Sequence, residues 1–145
     1  MKKITAFALS LIFVCALLCS CGVSKGEVVG EYELESYMAR HYGEVFEGVV
    51  GDEMEGKKLT PETVTLEFKS DGTFTYQCTA HEEQNARLEG KWEIEDKKIV
   101  LDAKLGNAGY SSLEFVYEDG KILAKIGEPD FDIYDEATLV KKASK

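Results

Sequence analysis

Proline and basic residues are both scarce in this chain. Two prolines occur among 145 residues, and no tract is biased in composition, which excludes a disordered proline-rich stalk. Lysine and arginine total 17 against 27 aspartates and glutamates, so the formal net charge at pH 7 is −10. Because an acidic surface repels phosphate groups, we expect no nucleic acid partner.

Histidine is equally rare, and its scarcity limits the catalytic chemistry that the chain could perform. The two histidines are His41 and His81, and Cys78 lies three residues before His81. If a strand continues from Cys78 to His81, the two side chains point to opposite faces. The Gly-x-Ser-x-Gly pattern of an activated serine is absent as well. We therefore expect a non-enzymatic protein that needs no cofactor.

The N-terminus combines a basic start with a short apolar run. Lys2 and Lys3 precede a stretch from residue 4 to residue 18 that is interrupted only by Thr5 and Ser10. This stretch is shorter than the roughly 20 apolar residues that span a bilayer as a helix. A basic start, a short apolar middle and small residues after it are typical of a secretory signal.

The residues after the apolar run resemble the bacterial lipobox, with Leu18 three positions before Cys21 and a small residue directly before that cysteine. The resemblance implies that Cys21 carries a diacylglyceryl thioether and that residues 1–20 are removed as a signal peptide. Cys19 is the other candidate, but lipidation there would place the bulky Leu18 at the cleavage position. Residues 21–27 would then be the lipidated cysteine and a short tether, on the extracytoplasmic face of the bacterial cell membrane.

Cleavage would change both the charge and the cysteine content of the mature chain. Loss of Lys2 and Lys3 leaves 15 basic residues against 27 acidic ones, a net charge of −12. Cys15 and Cys19 leave with the signal peptide and Cys21 is alkylated, so Cys78 remains as a lone thiol. Such a thiol can be reactive, can pair between chains, or can be a small buried side chain.

From residue 28 onward, apolar and polar residues alternate with a period of two. Alternation of this kind predicts half-buried strands. The clearest apolar faces are Val64, Leu66 and Phe68; Phe74, Tyr76 and Cys78; and Leu88, Trp92 and Ile94. Asp71-Gly72 and Asp119-Gly120 supply the positive φ that tight hairpin turns need. Residues 95–98 form a third turn, and a last strand lies within residues 131–140.

Consecutive hairpins predict an all-β fold, a single up-and-down antiparallel β-barrel of about eight strands over residues 28–145. Two interpretations fit the segment from residue 38 to residue 58. A helical stripe would fit its apolar positions, whereas EVFEGVV would equally suit a strand. Thr60-Pro61-Glu62 is typical of a helix cap with proline at the first helical position. The sequence therefore allows one short helix between residues 38 and 63.

Several of these motifs resemble the lipocalin-like lipoproteins of Gram-positive bacteria. The resemblance covers most of residues 28–126 and rests on Gly30-Glu31-Tyr32, LEFKSDGTF, EGKWEIEDKKIVL and EDGKILAKI. Proteins of this kind tend to begin with Gly-x-Trp or Gly-x-Tyr, and Tyr32 occupies the aromatic position here. Membership would imply a calycin-type barrel, and it implies no particular activity.

The apolar faces of the predicted strands supply the candidate binding residues. Aromatic side chains that line a barrel can hold a small apolar ligand, or they can fill the interior. The first hypothesis is a non-enzymatic binding module for a small apolar or amphipathic ligand. The second is a protein-protein interaction module of the cell envelope with a filled barrel core. The candidate interior residues are Tyr32, Leu34, Phe68, Phe74, Tyr76, Trp92, Phe115 and Tyr117.

An acidic segment near the C-terminus is a weak candidate for cation binding. It contains Asp130, Asp132 and Asp135, and calcium takes carboxylate oxygens at alternating positions. The segment lacks the glycine at the sixth position and the glutamate at the twelfth that an EF-hand loop requires. We therefore assign no metal site here and treat the segment as surface charge.

Replacement of Cys21 by serine tests the lipidation site. Cys21→Ser removes the thiol that the diacylglyceryl group would alkylate, so labelling with a radioactive fatty acid should be lost and the protein should leave the membrane fraction. Cys19→Ser is the matched control and should leave labelling intact. Labelling that survives in Cys21→Ser and disappears in Cys19→Ser would place the lipid on Cys19.

Overall fold

The computed structural model describes residues 22–80, 86–104 and 112–144. The predicted signal peptide, Cys21 and His81 therefore lie outside the described residues. The elements are a short helix α1 (Lys25–Val28) and the strands β1 (Gly30–His41), β2 (Glu44–Val49), β3 (Glu53–Met54), β4 (Lys57–Lys58), β5 (Val64–Phe68), β6 (Thr73–Cys78), β7 (Ala86–Glu95), β8 (Lys98–Lys104), β9 (Ser112–Glu118), β10 (Lys121–Glu128) and β11 (Ile133–Lys141), with 3-10 turns at Pro61–Thr63 and Pro129–Phe131.

Eight of these strands form a closed antiparallel barrel. Each strand from β5 to β10 pairs with the strand that follows it, and β1 pairs with both β5 and β11. The last strand closes onto the first, from Tyr32 opposite Lys141 to His41 opposite Ile133. Closure gives every barrel strand two neighbours, which removes open edges from the cylinder. The predicted all-β, eight-stranded up-and-down barrel is confirmed.

The antiparallel order places the connections at two ends of the barrel. One end, called the helix end, holds α1 and the turns at residues 69–72, 95–98 and 118–121. The other, called the loop end, holds the β1–β2 turn and the 3-10 turns that precede β5 and β11. Residues that precede α1 in the sequence therefore reach the barrel at the helix end.

Helix α1 lies against the helix end of the barrel. Its last residue, Val28, is fully buried, and the carbonyl of Val28 accepts a hydrogen bond from Tyr32 Oη at 2.7 Å. Lys25 Nζ lies 5.4 Å from the ring centroid of Trp92, a distance that suits a cation–π contact. The helix is thereby joined to both β1 and β7 and covers this end of the interior.

Residues 38–63 form a strand hairpin, followed by the short β3–β4 pair and a 3-10 turn. Residues 38–41 continue β1, and EVFEGV forms β2, which pairs with β1. Tyr42 and Gly43 have φ values of 51° and 88°, as in the two-residue turns whose twist matches a β-hairpin. The strand interpretation of EVFEGVV is therefore correct, and the helical turn within this range is the 3-10 turn Pro61–Thr63 after the Thr60 cap.

A β-bulge at Glu35 shifts the alternation of β1. Leu34 and Ser36 face consecutive residues of β11, so Glu35 between them is an extra residue. Tyr37, and not Ser36, then follows Leu34 into the interior, and Tyr37 is 2% exposed. Strict alternation from Tyr32 and Leu34 would place Ser36 on the inner face, but such alternation holds only in an unbroken strand.

The junction between β8 and β9 is short. Among the described residues, the two strands pair at Lys98 opposite Val116 and at Ile99 opposite Phe115. One further hydrogen bond runs from Tyr117 N–H to the Lys97 carbonyl at 3.1 Å. The paired part of the described strands therefore lies near the helix end.

Gly90 marks a very close approach between β7 and β8, and its replacement tests the barrel packing. A Cβ atom at Gly90 would lie 1.9 Å from the carbonyl oxygen of Asp102. Gly90→Ala should lower the free energy of unfolding by about 1–3 kcal/mol, the usual cost of overpacking that moves backbone. Urea unfolding followed by the emission of Trp92, which is 1% exposed, measures the change.

Gly26→Ala is the control for this substitution. A Cβ atom at Gly26 would meet Ser24 Oγ at 4.0 Å, an ordinary contact distance. Its free energy of unfolding should stay within about 0.5 kcal/mol of the unsubstituted chain or rise slightly, since alanine favours helix. Equal stabilities of Gly90→Ala and Gly26→Ala would contradict the close approach of β7 and β8.

Candidate functional site

The predicted interior residues all belong to the core of the barrel or pack against it. Seven of the eight are at most 2% exposed, and Tyr117 is partly buried. Their place in the interior is as predicted from alternation. Their role in binding a ligand stays a prediction.

Aromatic rings that contact one another occupy the helix end of the interior. Phe68 is central, with its ring centroid 4.9 Å from Trp92, 6.2 Å from Tyr32 and 6.3 Å from Phe74. These tilted and edge-on contacts are favourable ring geometries. Trp92 Nε1 donates to the Lys69 carbonyl at 3.1 Å, so its polar atom is satisfied within the protein. This half of the interior is a packed core.

Towards the loop end, the interior holds several small side chains beside larger ones such as Tyr37, Val64 and Ile126, which are also buried. Ala39, Ala80 and Ala86 are buried there, and Cys78 faces Ala86 across the β6–β7 ladder. Small side chains take up less of the cross-section of a barrel than aromatic rings do, and the residues that line a barrel determine whether it is filled. The loop end therefore differs from the helix end in its alanines and in Cys78.

Four polar side chains form a hydrogen-bonded network in this half of the barrel. Cys78 Sγ donates to Tyr37 Oη at 3.9 Å, and Tyr76 hydrogen-bonds Cys78. Tyr37 also hydrogen-bonds Asp135, and since a carboxylate only accepts, Tyr37 is the donor. The network runs from β6 through β1 to β11. It places hydroxyl, thiol and carboxylate groups in fixed positions inside the barrel.

Burial controls the titration of this network. Loss of solvation raises the pKa of the Tyr37 hydroxyl, and the neighbouring Cys78 and Asp135 raise it further. Loss of solvation is also the main reason that the pKa of the Cys78 thiol is raised. Both groups are therefore neutral at pH 7. A buried thiol that stays protonated is a poor nucleophile.

The network reaches the rim of the loop end through Asp135. His41 Nε2 lies 3.7 Å from Asp135 Oδ1, and the two side chains are 45% and 20% exposed. The sequence reasoning missed Tyr37 because the bulge has no clear sequence signal. It also missed the inward orientation of Asp135, although the alternation of Leu139, Ala137 and Asp135 on β11 could have indicated it.

The three aspartates of the acidic segment do not converge on one site. Asp132 pairs with Arg40, with Asp132 Oδ1 2.5 Å from Arg40 Nε. Asp135 faces the interior and contacts Tyr37, and Asp130 lies exposed in a 3-10 turn. Within residues 22–80, 86–104 and 112–144, no group of three histidine, cysteine or acidic side chains could hold a metal ion. The segment thus places two of its aspartates in different polar contacts.

No protein-family model, curated protein or solved structure significantly matches this chain. In the part of the chain that the structure describes, no helix has the length and apolar character needed to cross a bilayer. The function is therefore inferred from the residues and geometry of the chain itself.

The burial of Cys78 predicts a slow reaction of its thiol. In a chain that begins at Gly22, Cys78 is the single cysteine. Its reaction with an aromatic disulfide reagent at pH 8 should be at least about a hundredfold slower in the folded protein than in urea, because the thiolate is the reactive species and burial disfavours it. Equal rates before and after unfolding would show that the thiol is open to solvent.

Proposed function

We propose that this protein is a lipid-anchored extracytoplasmic lipoprotein whose lipocalin-like barrel binds a small apolar or amphipathic ligand. The observation that carries the proposal is the division of the barrel interior. Aromatic rings pack the helix end, whereas small side chains and a polar network line the loop end. The apolar body of a ligand suits the small side chains, and a polar head group suits Tyr37 and Asp135.

The ends of the barrel differ in a way that supports entry from the loop end. Helix α1 covers the opposite end, where Val28 is fully buried. Among the described residues, the pairing of β8 with β9 ends at Ile99 and Phe115, short of the loop end. A ligand that enters there would first meet Asp135 at the rim and then the small side chains behind it.

Attachment through Cys21 would also orient the barrel. Residues 22–24 lead into α1 and so reach the barrel at the helix end. At about 3.5 Å per extended residue, these three residues span about 10 Å, which would keep the domain close to the bilayer. The loop end would then face away from the membrane, where a diffusing ligand reaches it.

The chemistry of the interior supports binding rather than catalysis. Burial raises the pKa of the Cys78 thiol, which disfavours nucleophilic attack. His41 lies beside Asp135 at the partly exposed rim. The polar network is therefore better suited to orienting a head group than to activating a nucleophile.

Nile red, an uncharged dye with a polar end, tests the proposed binding site. The unsubstituted chain should bind the dye with increased and blue-shifted emission. Ala39→Leu places extra carbons where the ligand would lie, so the affinity should fall about tenfold, in line with the roughly 1–3 kcal/mol of overpacking. Fluorescence titration gives the affinity, and thermal unfolding checks that the variant is folded.

Leu123→Ala is the control for the dye experiment. Leu123 is 38% exposed on β10, so its truncation should leave dye affinity unchanged. If the dye binds Ala39→Leu as tightly as the unsubstituted chain, the loop-end interior is not its site. Absence of dye binding by any folded form would count against the ligand proposal.

A role in protein-protein interaction is the second candidate function. The observation in its favour is the unpaired side of β2, which ends the nine-stranded sheet.

A further inference from the structure

Strand β2 extends the sheet beyond the cylinder of the barrel. On one side, β1 pairs with β5 through residues 30–33 and then with β2 through residues 36–41. Among the described strands, nothing pairs with the other side of β2. An unpaired strand side presents N–H and carbonyl groups that can accept a further strand.

The Tyr42-Gly43 turn determines which backbone groups of β2 are open. In a two-residue hairpin the residues that flank the turn, here His41 and Glu44, exchange both hydrogen bonds. Every second residue of β2 then directs its backbone groups towards β1. The alternate residues, Val45, Glu47 and Val49, direct their backbone groups away from β1.

The surroundings of Val49 agree with this assignment. Its N–H donates to Asp52 Oδ2 at 3.0 Å, and its carbonyl accepts a hydrogen bond from Asp52 N–H at 3.0 Å. These contacts occupy the end of the strand. Within the described chain, the outward backbone groups of Val45 and Glu47 have no partner. Two N–H and two carbonyl groups are therefore open to a further strand.

A groove lies beside this strand on the outer face of the sheet. Its volume is about 440 Å³. Two rows of paired residues across β2, β1 and β11 line it, namely Glu47, Met38 and Glu136, and Val49, Ser36 and Thr138. Val49 in this groove is 54% exposed, and Val45, further along β2 and outside the groove, is 47% exposed. The groove therefore combines apolar surface with carboxylates.

The charge of β2 and the adjacent groove indicates which kind of peptide segment would bind there. Residues 42–56 contain no basic residue and five acidic ones, Glu44, Glu47, Asp52, Glu53 and Glu55. In the groove, Glu136 is 3.3 Å from Lys125, whereas Glu47 has no ion pair among the described residues. A second copy of this chain would bring the same acidic residues and be repelled, but a basic segment would be attracted.

We propose that β2 and the adjacent groove bind an extended segment of a partner protein with alternating apolar and basic side chains. The segment adds a strand to β2 by pairing with the open backbone groups of Val45 and Glu47. A lysine or arginine lies opposite Glu47, and apolar side chains cover the exposed valines. This surface is outside the barrel, so the proposal does not depend on a ligand in the interior.

Two synthetic peptides test the proposal on the full chain. The first is a fluorescent Val-Thr-Lys-Thr-Val-Thr-Lys peptide, and the second carries glutamate in place of both lysines. Fluorescence anisotropy should show that the lysine peptide binds at least fivefold more tightly. Its affinity should also fall as salt is raised from about 0.05 to 0.5 M, since exposed charge pairs are screened.

Two variants of β2 separate backbone pairing from charge. Val45→Pro removes an N–H that does not face β1, and edge positions tolerate proline, so affinity for the lysine peptide should fall at least fivefold. Glu47→Lys keeps every backbone group and should also lower affinity at least fivefold. Glu93→Lys makes the same charge change at an exposed position on β7 and should stay within twofold.

Three results would overturn the proposal. One is equal binding of the lysine and glutamate peptides. Another is an unchanged affinity of Glu47→Lys for the lysine peptide. This measurement tests the proposal even if Val45→Pro fails to fold. The third is a dimer that forms in sedimentation experiments with the unsubstituted chain and is lost in Val45→Pro. The occupant of β2 would then be a second copy of this protein.

Discussion

The bulge at Glu35 is the constraint on which both candidate surfaces depend. It adds one residue to β1 at the point where the partner of that strand changes from β5 to β2. The backbone hydrogen bond from Val50 N–H to the Glu35 carbonyl, at 3.1 Å, lies at the same point. Without the extra residue, Tyr37 would face the solvent and the polar network would lose its central member. The same change of partner carries β2 away from the cylinder.

The interior of the barrel combines packed aromatic rings with buried, hydrogen-bonded polar groups. Interlocked rings around Phe68 bury large apolar surfaces and supply much of the hydrophobic stabilisation. Small residues such as Ala39 and Ala86 contribute less, and the hydroxyl and carboxylate groups of Tyr37 and Asp135 are stable inside a protein only when they are hydrogen-bonded. The aromatic rings and the polar network therefore occupy different parts of one continuous interior.

The parts of the fold that local chemistry determines could be predicted from the sequence. Asp71-Gly72 and Asp119-Gly120 specify turns by themselves, and alternation around Phe68 and Trp92 gives the inward face directly. The bulge could not be predicted, because it arises from the registers of β5, β2 and β11 with β1. For the same reason Tyr37 was missed, whereas the shared inward face of Tyr76 and Cys78 follows from simple alternation on β6.

The pairing of the first barrel strand with the last also governs how quickly the barrel can form. The hairpins β5–β6, β7–β8 and β9–β10 join neighbours in sequence, so their loops close at small entropic cost. The contact of Tyr32 with Lys141 joins positions about a hundred residues apart, and non-local pairings of this kind slow folding. Until β11 arrives, the chain is an open sheet with two unpaired edges, the form most exposed to aggregation.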